Sequence, residues 1–410
     1  MKKILFLTYY YPPANATGAN RPGSFAKNFA ANGYSVTVVT RQWTGREKNW
    51  KDQLDSNITS AQIVNTNNIA VHYLPYKRYE YPRITKFNTL KEHLRGNFNY
   101  ELAYDQFENY VLNLCKNDHF DFILVSIPPN SILKTAYKVG KLNNIPLLLD
   151  IRDFQNDIIL KKNPPFSISN LITHQLVLYY FKKWLSQTKA VVTASPVITE
   201  YINKTFRINA VTLTNGFNEE LLQIEEDTYK DNFTISVLGS LHKDANLDEM
   251  KKLFVLLFDK PDKYKLKFNF IGLTINPSVA NEFARLIPAE NLLITDRMPQ
   301  NEALQIGAKS HVLMLAGYDN YKGALTTKVF EYLGLRKPVL LIPSDNDVIE
   351  ALLNETGAGF SPPNAEEAYK VILNWYNEWQ NTGSVSFNGE LDKILNYSRE
   401  NQFKKILKLL

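Results

Sequence analysis

A chain of 410 residues exceeds what one hydrophobic core usually serves, so two domains are expected, and its hydrophobic fraction of 44% with 12% aromatics is that of a globular protein. The formal net charge of +6 is mild and diffuse: it suits anionic ligands or an acidic lipid surface and argues against a nucleic-acid partner. Cys115 is the only cysteine, which excludes an intrachain disulfide, and no apolar run approaches the roughly 20 residues that span a bilayer. Ile4 to Leu7 is too short for a signal-peptide core, so a cytoplasmic setting is expected.

Lys3–Thr8 (KILFLT) reads as a buried strand. The loop YYYPPANATGANRPG follows, then a helix from about Ser24 to Asn32 and a second strand over Ser35–Thr40. Strand, helix and strand make a right-handed βαβ unit, the opening of a doubly wound α/β sheet. No G-x-G-x-x-G follows the first strand, so a dinucleotide fingerprint is absent. Ile69–Leu74 is a strand and Tyr100–Cys115 an amphipathic helix; between them, residues 76–98 interleave basic and aromatic side chains. That pattern fits base stacking, a membrane-facing or acceptor-facing insertion, or a solvated loop; no nucleic-acid motif accompanies it.

Asp121–Ser126 is a strand, a helix starts at Pro129, and the strand Pro146–Asp150 runs into DIRDFQND. Ligands of open α/β sheets gather at the carboxyl ends of strands. Asp150, Arg152 and Asp153 are therefore site candidates, although an Asp–Arg pair that fixes the strand end explains them as well. Leu171–Gln187 is a helix with an apolar face and a basic end, suited to covering the sheet or to lying on a membrane surface. Ala210–Leu213 is the last strand of the first half, and the polar Glu219–Asp231 is a linker.

The second half repeats the logic. Phe233–Leu238 is a strand, Gly239 to Lys243 a loop, and Leu247–Phe258 a helix; Lys267–Ile271, Asn291–Ile294 and Val312–Leu315 are further strands. Tyr321 to Glu350 is the most informative stretch. Thr326 or Thr327 caps a helix, Val329, Phe330 and Leu333 follow at helical spacing, and Gly334 stops it. Val339–Ile342 is a short buried parallel strand. Glu331 is thus a carboxylate about one turn inside a helix whose N-terminus seats a phosphate, where it can accept hydrogen bonds from ribose hydroxyls. A solvated helix face is the plainer reading of the same residue. Asp345-Asn346-Asp347 is a D-x-D, but it begins a helix late in the chain and reads as a cap. The six histidines have no ligand spacing, and neither a metal nor a cofactor is expected.

These pieces together resemble the GT-B glycosyltransferases, especially the retaining family-four enzymes. The resemblance implies two facing Rossmann-like domains with an interdomain cleft. Residues 1–218 would form the acceptor domain, 219–231 a linker and 232–388 the nucleotide-sugar domain, with 389–410 a helix crossing back to the first domain; a basic membrane anchor is the other reading of that tail. Glu331 matches the second acid of the family's Glu-x7-Glu pair, while Gly323 stands where the first Glu meets the donor sugar. Gly18 and Arg21 hold the places that face donor phosphates and acceptor. The Asp-x-Arg-Asp segment makes Arg152 a substrate contact and Asp153 the acid near the acceptor. Asn218 replaces the Asp of the family's Asn-Gly-x-Asp turn. In the loop after Gly239, Ser240 stands at the family's Arg, and Lys243 is the family's Lys displaced toward the Gly. Lys243 and Lys328 would neutralise the leaving diphosphate in place of a metal. Backbone at Arg297 and Met298 would meet the base, and Thr326 and Thr327 the phosphates.

The implied reaction moves a sugar from a nucleoside-diphosphate sugar to a hydroxyl of a glycan or lipid-linked precursor, with retention, for surface polysaccharide or glycoconjugate synthesis. An anionic membrane surface is a further expected partner, met from the cytoplasmic side. Two other readings are a nucleotide-sugar epimerase of the same fold and a noncatalytic nucleotide-sugar-binding subunit, the latter suggested by Gly323.

Overall fold

Short runs of leucine, isoleucine, valine and phenylalanine make most of the strands, and their alternate side chains enter two different cores. Ile4 and Phe6 pack into one cluster and Leu5 and Leu7 into another, so the strand is buried on both faces, as parallel sheets require. The computed structural model describes residues 1–47, 52, 58–76, 86–98, 105–154, 168–224, 227–241, 245–259, 264–318 and 321–410. The chain divides into two units, Met1–Thr214 with Phe403–Leu410, and Asn215–Gln402.

The first unit is one sheet of eight strands: β1 (Lys3–Thr8), β2 (Ser35–Arg41), β3 (Gln62–Thr66), β4 (Ile69–Leu74), β5 (Phe122–Ile127), β6 (Leu147–Ile151), β7 (Thr188–Thr193) and β8 (Val211–Thr212). Their order is β3-β4-β2-β1-β5-β6-β7-β8, and every pairing is parallel except that of β3 with β4. Its helices are α1 (Asn20–Ala31), α2 (Lys86–Leu94), α3 (Asp105–Asn117), α4 (Asn130–Asn143), α5 (Ile168–Leu185) and α6 (Pro196–Phe206). β3 has no counterpart in the sequence reading. All five of its residues are exposed, so it lacks the apolar pattern of its neighbours. It is held by a two-residue turn in which Asn67 and Asn68 both take positive φ, the geometry that joins hairpin strands tightly.

The second unit has β9 (Phe233–Leu238), β10 (Leu266–Ile271), β11 (Leu292–Ile294), β12 (Val312–Leu315), β13 (Val339–Leu341) and β14 (Gly359–Phe360), in the order β11-β10-β9-β12-β13-β14 and all parallel. Counted from β9, that is the 3-2-1-4-5-6 order of a doubly wound sheet, which reverses direction between β9 and β12. Its helices are α7 (Asp248–Phe258), α8 (Pro277–Leu286), α9 (Gln300–Lys309), α10 (Thr327–Gly334), α11 (Val348–Thr356), α12 (Ala365–Thr382), α13 (Leu391–Leu395) and α14 (Arg399–Leu407). The end of α14 returns the chain to the first unit, where Phe403 packs edge-on against Phe29 with ring centroids 4.7 Å apart.

One expectation needs correction here. The sequence reading starts the first helix at Ser24 and leaves Arg21 in a loop as a phosphate fork. The helix instead begins at Asn20, fed by a 3-10 turn over Thr17–Ala19. Pro22 is tolerated because first-turn N–H groups have no intrahelical partner anyway. Arg21 is thereby buried and turned inward. Its Nε and Nη2 donate to Asp150 at 3.0 and 2.8 Å, and Nη1 donates to the Thr214 carbonyl at 2.8 Å. Ser126 Oγ completes the Asp150 carboxylate at 2.8 Å. These donors are spent within the unit, so Arg21 ties α1, β6 and the end of the sheet together. Removing one member of a buried pair strands the other charge, which costs about 3–5 kcal/mol. Arg21→Leu should therefore lower urea stability by about that much; a loss below ~1 kcal/mol would show that the pair is not holding this unit together.

Candidate functional site

The site assembles at the carboxyl ends of β9 and β12, where the second sheet reverses its order. Thr326 is the N-cap of α10, and its Oγ1 accepts from the Lys328 N–H at 3.3 Å. This cap fixes the first turn, and Lys328, the second helical residue, turns its side chain back over the loop after β9. Its Nζ donates to the Ser240 carbonyl at 2.5 Å. The loop can approach so closely because Gly239 has φ of +74° and no side chain: a Cβ there would lie 3.2 Å from Lys328 Cε. The ammonium is crowded by protein atoms although part of the side chain remains in solvent, and desolvation pushes its pKa down to about 8, with Glu331 opposing. Lys328 and Thr326 line a small pocket with Leu241, Leu315, Ala316 and Tyr318. Tyr318 and the pocket's apolar wall were not singled out in the sequence; they belong to the end of β12, whose proximity is set by strand order.

Glu331 does not lie on a solvated face. It is 9% exposed, and burial raises its pKa, opposed by the charge of Arg399, a hydrogen bond from Gln300 and the charge of Lys328. Gln300 Nε2 donates to its Oε1. Tyr332, the next residue, accepts from the Leu238 N–H at 2.9 Å, which anchors the end of β9 against α10. Arg399 in turn donates to Asn218 Oδ1 at 2.7 Å. Gln300 and Arg399 carry no sequence signal near Glu331, because both reach it from distant segments.

Three loops meet behind this pocket. A Cβ on Gly272 (φ +86°), after β10, would lie 3.7 Å from both Gly239 Cα and Arg297 Cα. Arg297 is exposed at the turn past β11, and Met298 packs partly into the core beneath. Gly323 takes a positive φ of 68° and donates its N–H to Asp347 Oδ2 at 2.6 Å. Asp345 accepts from the N–H groups of Ile349 and Glu350 at 2.9 and 3.0 Å, so the D-x-D does cap α11. Among the described residues no group of three or more His, Cys, Asp or Glu is arranged to hold a metal ion. Lys243 lies outside the described residues, as do 77–85 of the aromatic-basic stretch.

In the first unit, Arg152 is buried at the end of β6. Its Nη1 and Nη2 donate to the carbonyls of Gly18 (2.7 Å) and Pro128 (3.0 Å), and its guanidinium lies 5.4 Å from the Tyr10 ring centroid. Burial lowers its pKa, with Asp153 and Asp150 opposing. A side chain at position 18 would press on this guanidinium and make it shift. Asp153 is exposed beside it.

With this geometry in hand, comparison with known proteins is informative about fold. No family model matches the chain and no curated protein matches it in sequence. Among solved structures, HepE of Anabaena in complex with UDP-glucose matches over 100% of both chains with a TM-score of 0.63 at 14% identity. Sucrose-phosphate synthase from Thermosynechococcus elongatus matches over 100% of this chain and 98% of that one, with a TM-score of 0.64 at 11% identity. The fold is GT-B. The lipopolysaccharide outer core galactosyltransferase WaaB, in its apo form, matches over 100% of this chain and 98% of that one at a TM-score of 0.58 and 10% identity.

Lys328 gives the site a pH signature. An anion bound at its ammonium raises a pKa that starts near 8, so binding takes up protons above that pH. Affinity for a small anion such as sulfate should be level through neutrality and fall as pH rises past 8, by at most tenfold per unit. Calorimetry in buffers of different ionisation enthalpy should show the uptake. Lys328→Gln should abolish the pH dependence; if the slope persisted in that variant, another group would be responsible.

Proposed function

We propose that this GT-B protein is a nucleotide-sugar glycosyltransferase, a retaining hexosyltransferase that passes a sugar to a hydroxyl of a glycan or lipid-linked precursor. On this reading it works from the cytoplasm in surface polysaccharide or glycoconjugate synthesis. The observation that carries the reading is the α10 constellation: a cation over the Gly239–Ser240 loop at the helix's first turn, with a buried carboxylate one turn behind it. A nucleoside diphosphate has the complementary order, phosphates adjoining a ribose diol. The likeness to HepE bound to UDP-glucose and to the galactosyltransferase WaaB supports the same reading.

Breaking the glycosidic bond builds negative charge on the diphosphate, and fixed positive charge lowers that barrier. Lys328 carries this task, with Lys243 as the second cation and the first-turn groups of Thr326 and Thr327 on the phosphates. Glu331 holds the ribose hydroxyls, backbone at Gly239 and Ser240 lines the diphosphate, and backbone at Arg297 and Met298 meets the base. In the first unit, Gly18 and Arg152 shape the acceptor site and Asp153 is its acid. Because the stabilising charge is the protein's own, transfer should continue in EDTA; loss with EDTA and rescue by manganese or magnesium would refute that assignment.

A second reading is favoured by one observation. Gly323 brings no carboxylate to the donor sugar, and its N–H is engaged by Asp347, which suits a subunit that binds the donor without turning it over. Donor binding with no transfer to any acceptor would support it, whereas conversion of the sugar with no acceptor present would indicate an epimerase.

The ribose contact has its own test. Charge-assisted hydrogen bonds contribute roughly 1.5–3 kcal/mol, so Glu331→Gln should weaken a nucleoside diphosphate about tenfold or more. The 2′,3′-dideoxy analogue should bind the original protein weakly and lose almost nothing further in the variant. Equal losses for both ligands would mean that Glu331 does not touch the ribose.

A further inference from the structure

We infer that α2 and α5 of the first unit form one face that docks on an anionic lipid surface. The inference begins with α5, whose 18 residues make a rod of roughly 27 Å. Val177, Phe181, Trp184 and Leu185 bury one side of it in the core. A helix on a protein surface ordinarily turns polar residues outward. Here the outward positions 168, 171, 172 and 179 recur at helical spacing and are apolar or aromatic: Ile168 is 71% exposed, Leu171 52%, Ile172 46% and Tyr179 62%.

A second helix widens the same face. Tyr180 Oη donates to the Leu94 carbonyl at 2.6 Å, and Thr173 Oγ1 meets His93 Nδ1 at 3.2 Å. Gly96, with φ of +78°, lets Tyr180 and Trp184 press against the chain just after α2, where a Cβ would lie 3.1 Å from each ring. On α2, which these contacts hold beside α5, Leu90 and Leu94 are exposed as well.

The charge around the strip identifies the occupant. Lys91, Arg95, Lys182 and Lys183 are all exposed beside it. α5 contains no Asp or Glu, and α2 contains only Glu92, whose carboxylate accepts from Arg95 Nη1 at 3.0 Å and Asn97 Nδ2 at 2.7 Å. Apolar and aromatic side chains with lysines at one end match a headgroup layer: rings and aliphatic chains enter the acyl boundary while the ammonium groups meet lipid phosphates. Among the described residues no helix is long and apolar enough to cross a membrane. The face therefore lies in the plane of the interface.

Vesicle flotation tests this with phosphatidylcholine alone and with phosphatidylcholine plus phosphatidylglycerol, at low and high salt. The full chain should float with the anionic vesicles and be released by salt. A lysine near such a surface is worth about fivefold in partitioning, so Lys182→Gln with Lys183→Gln should weaken binding about thirtyfold at low salt. Ile172→Glu with Tyr179→Glu should abolish flotation, while an unchanged thermal midpoint shows that these exposed positions leave the fold intact. No flotation, equal flotation with neutral vesicles, or variants that float like the original protein would each overturn the inference. A dimer that the Ile172→Glu, Tyr179→Glu variant splits into monomers would overturn it too, assigning the face to self-association.

Discussion

The ammonium of Lys328 sits at the first turn of α10 with the Ser240 carbonyl as its acceptor, and three residues later the same helix carries Glu331. That order runs against the helix's own field. The N-terminal end of a helix carries partial positive charge, which favours an acid there and a base at the far end, each by about 0.3–1 kcal/mol. Desolvation adds to the conflict: it pushes Lys328 down to about 8 and raises Glu331. Two groups held in the less favourable order, in a place short of water, gain most from a ligand that supplies an anion at the helix end and hydroxyls one turn deeper.

The two sheets share the 3-2-1-4-5-6 core order, yet treat their switch points differently. In the second unit the end of β9 is left bare by Gly239, with Gly272 allowing the next loop to approach it. In the first unit the corresponding edge is filled by the protein's own charges. Arg21 is bound to Asp150 and Thr214, and Arg152 spans the Gly18 and Pro128 carbonyls. All three Arg21 side-chain nitrogens are engaged by the chain itself, whereas Arg152 keeps a buried Nε with no partner.

Much of this could be read from the sequence because parallel strands buried on both faces leave apolar runs that few other structures produce. KILFLT, PLLLD and VLLI are of that kind, and each lies within a residue or two of its strand. β3 shows the converse: its partner is a neighbour in sequence, its residues are exposed, and its one signal is the Asn67-Asn68 pair at the turn. The start of α1 was displaced by four residues because Pro22-Gly23 looks like loop chemistry, and that shift alone turned Arg21 from a buried tie into a phosphate fork. α12 went unread although Asn364 caps it, accepting from the Glu367 N–H at 2.9 Å, and Trp375 and Trp379 pack into the core. At the site, Glu331 and Lys328 were visible from local helix position. Gln300, Arg399 and the Ser240 carbonyl were not, because their hydrogen bonds, or for Arg399 its charge, act between segments 31, 68 and 88 residues apart (331−300, 399−331 and 328−240).

The two departures from the GT-B pattern that concern α10 take on physical meaning when their partners are considered. Asn218 stands where the resemblance expects an acid, and Arg399 donates to its neutral amide oxygen. An aspartate at that position would neutralise much of the Arg399 charge. With asparagine there, more of that charge acts on Glu331, opposing the burial that raises its pKa. An ionised carboxylate accepts hydrogen bonds at both oxygens, whereas a protonated one gives up part of that capacity. Asparagine at 218 therefore works toward the ionised form of Glu331, while Gly323 supplies no carboxylate of its own to the same neighbourhood. An acid does reach Gly323 from another segment, because its N–H donates to Asp347 Oδ2 at 2.6 Å.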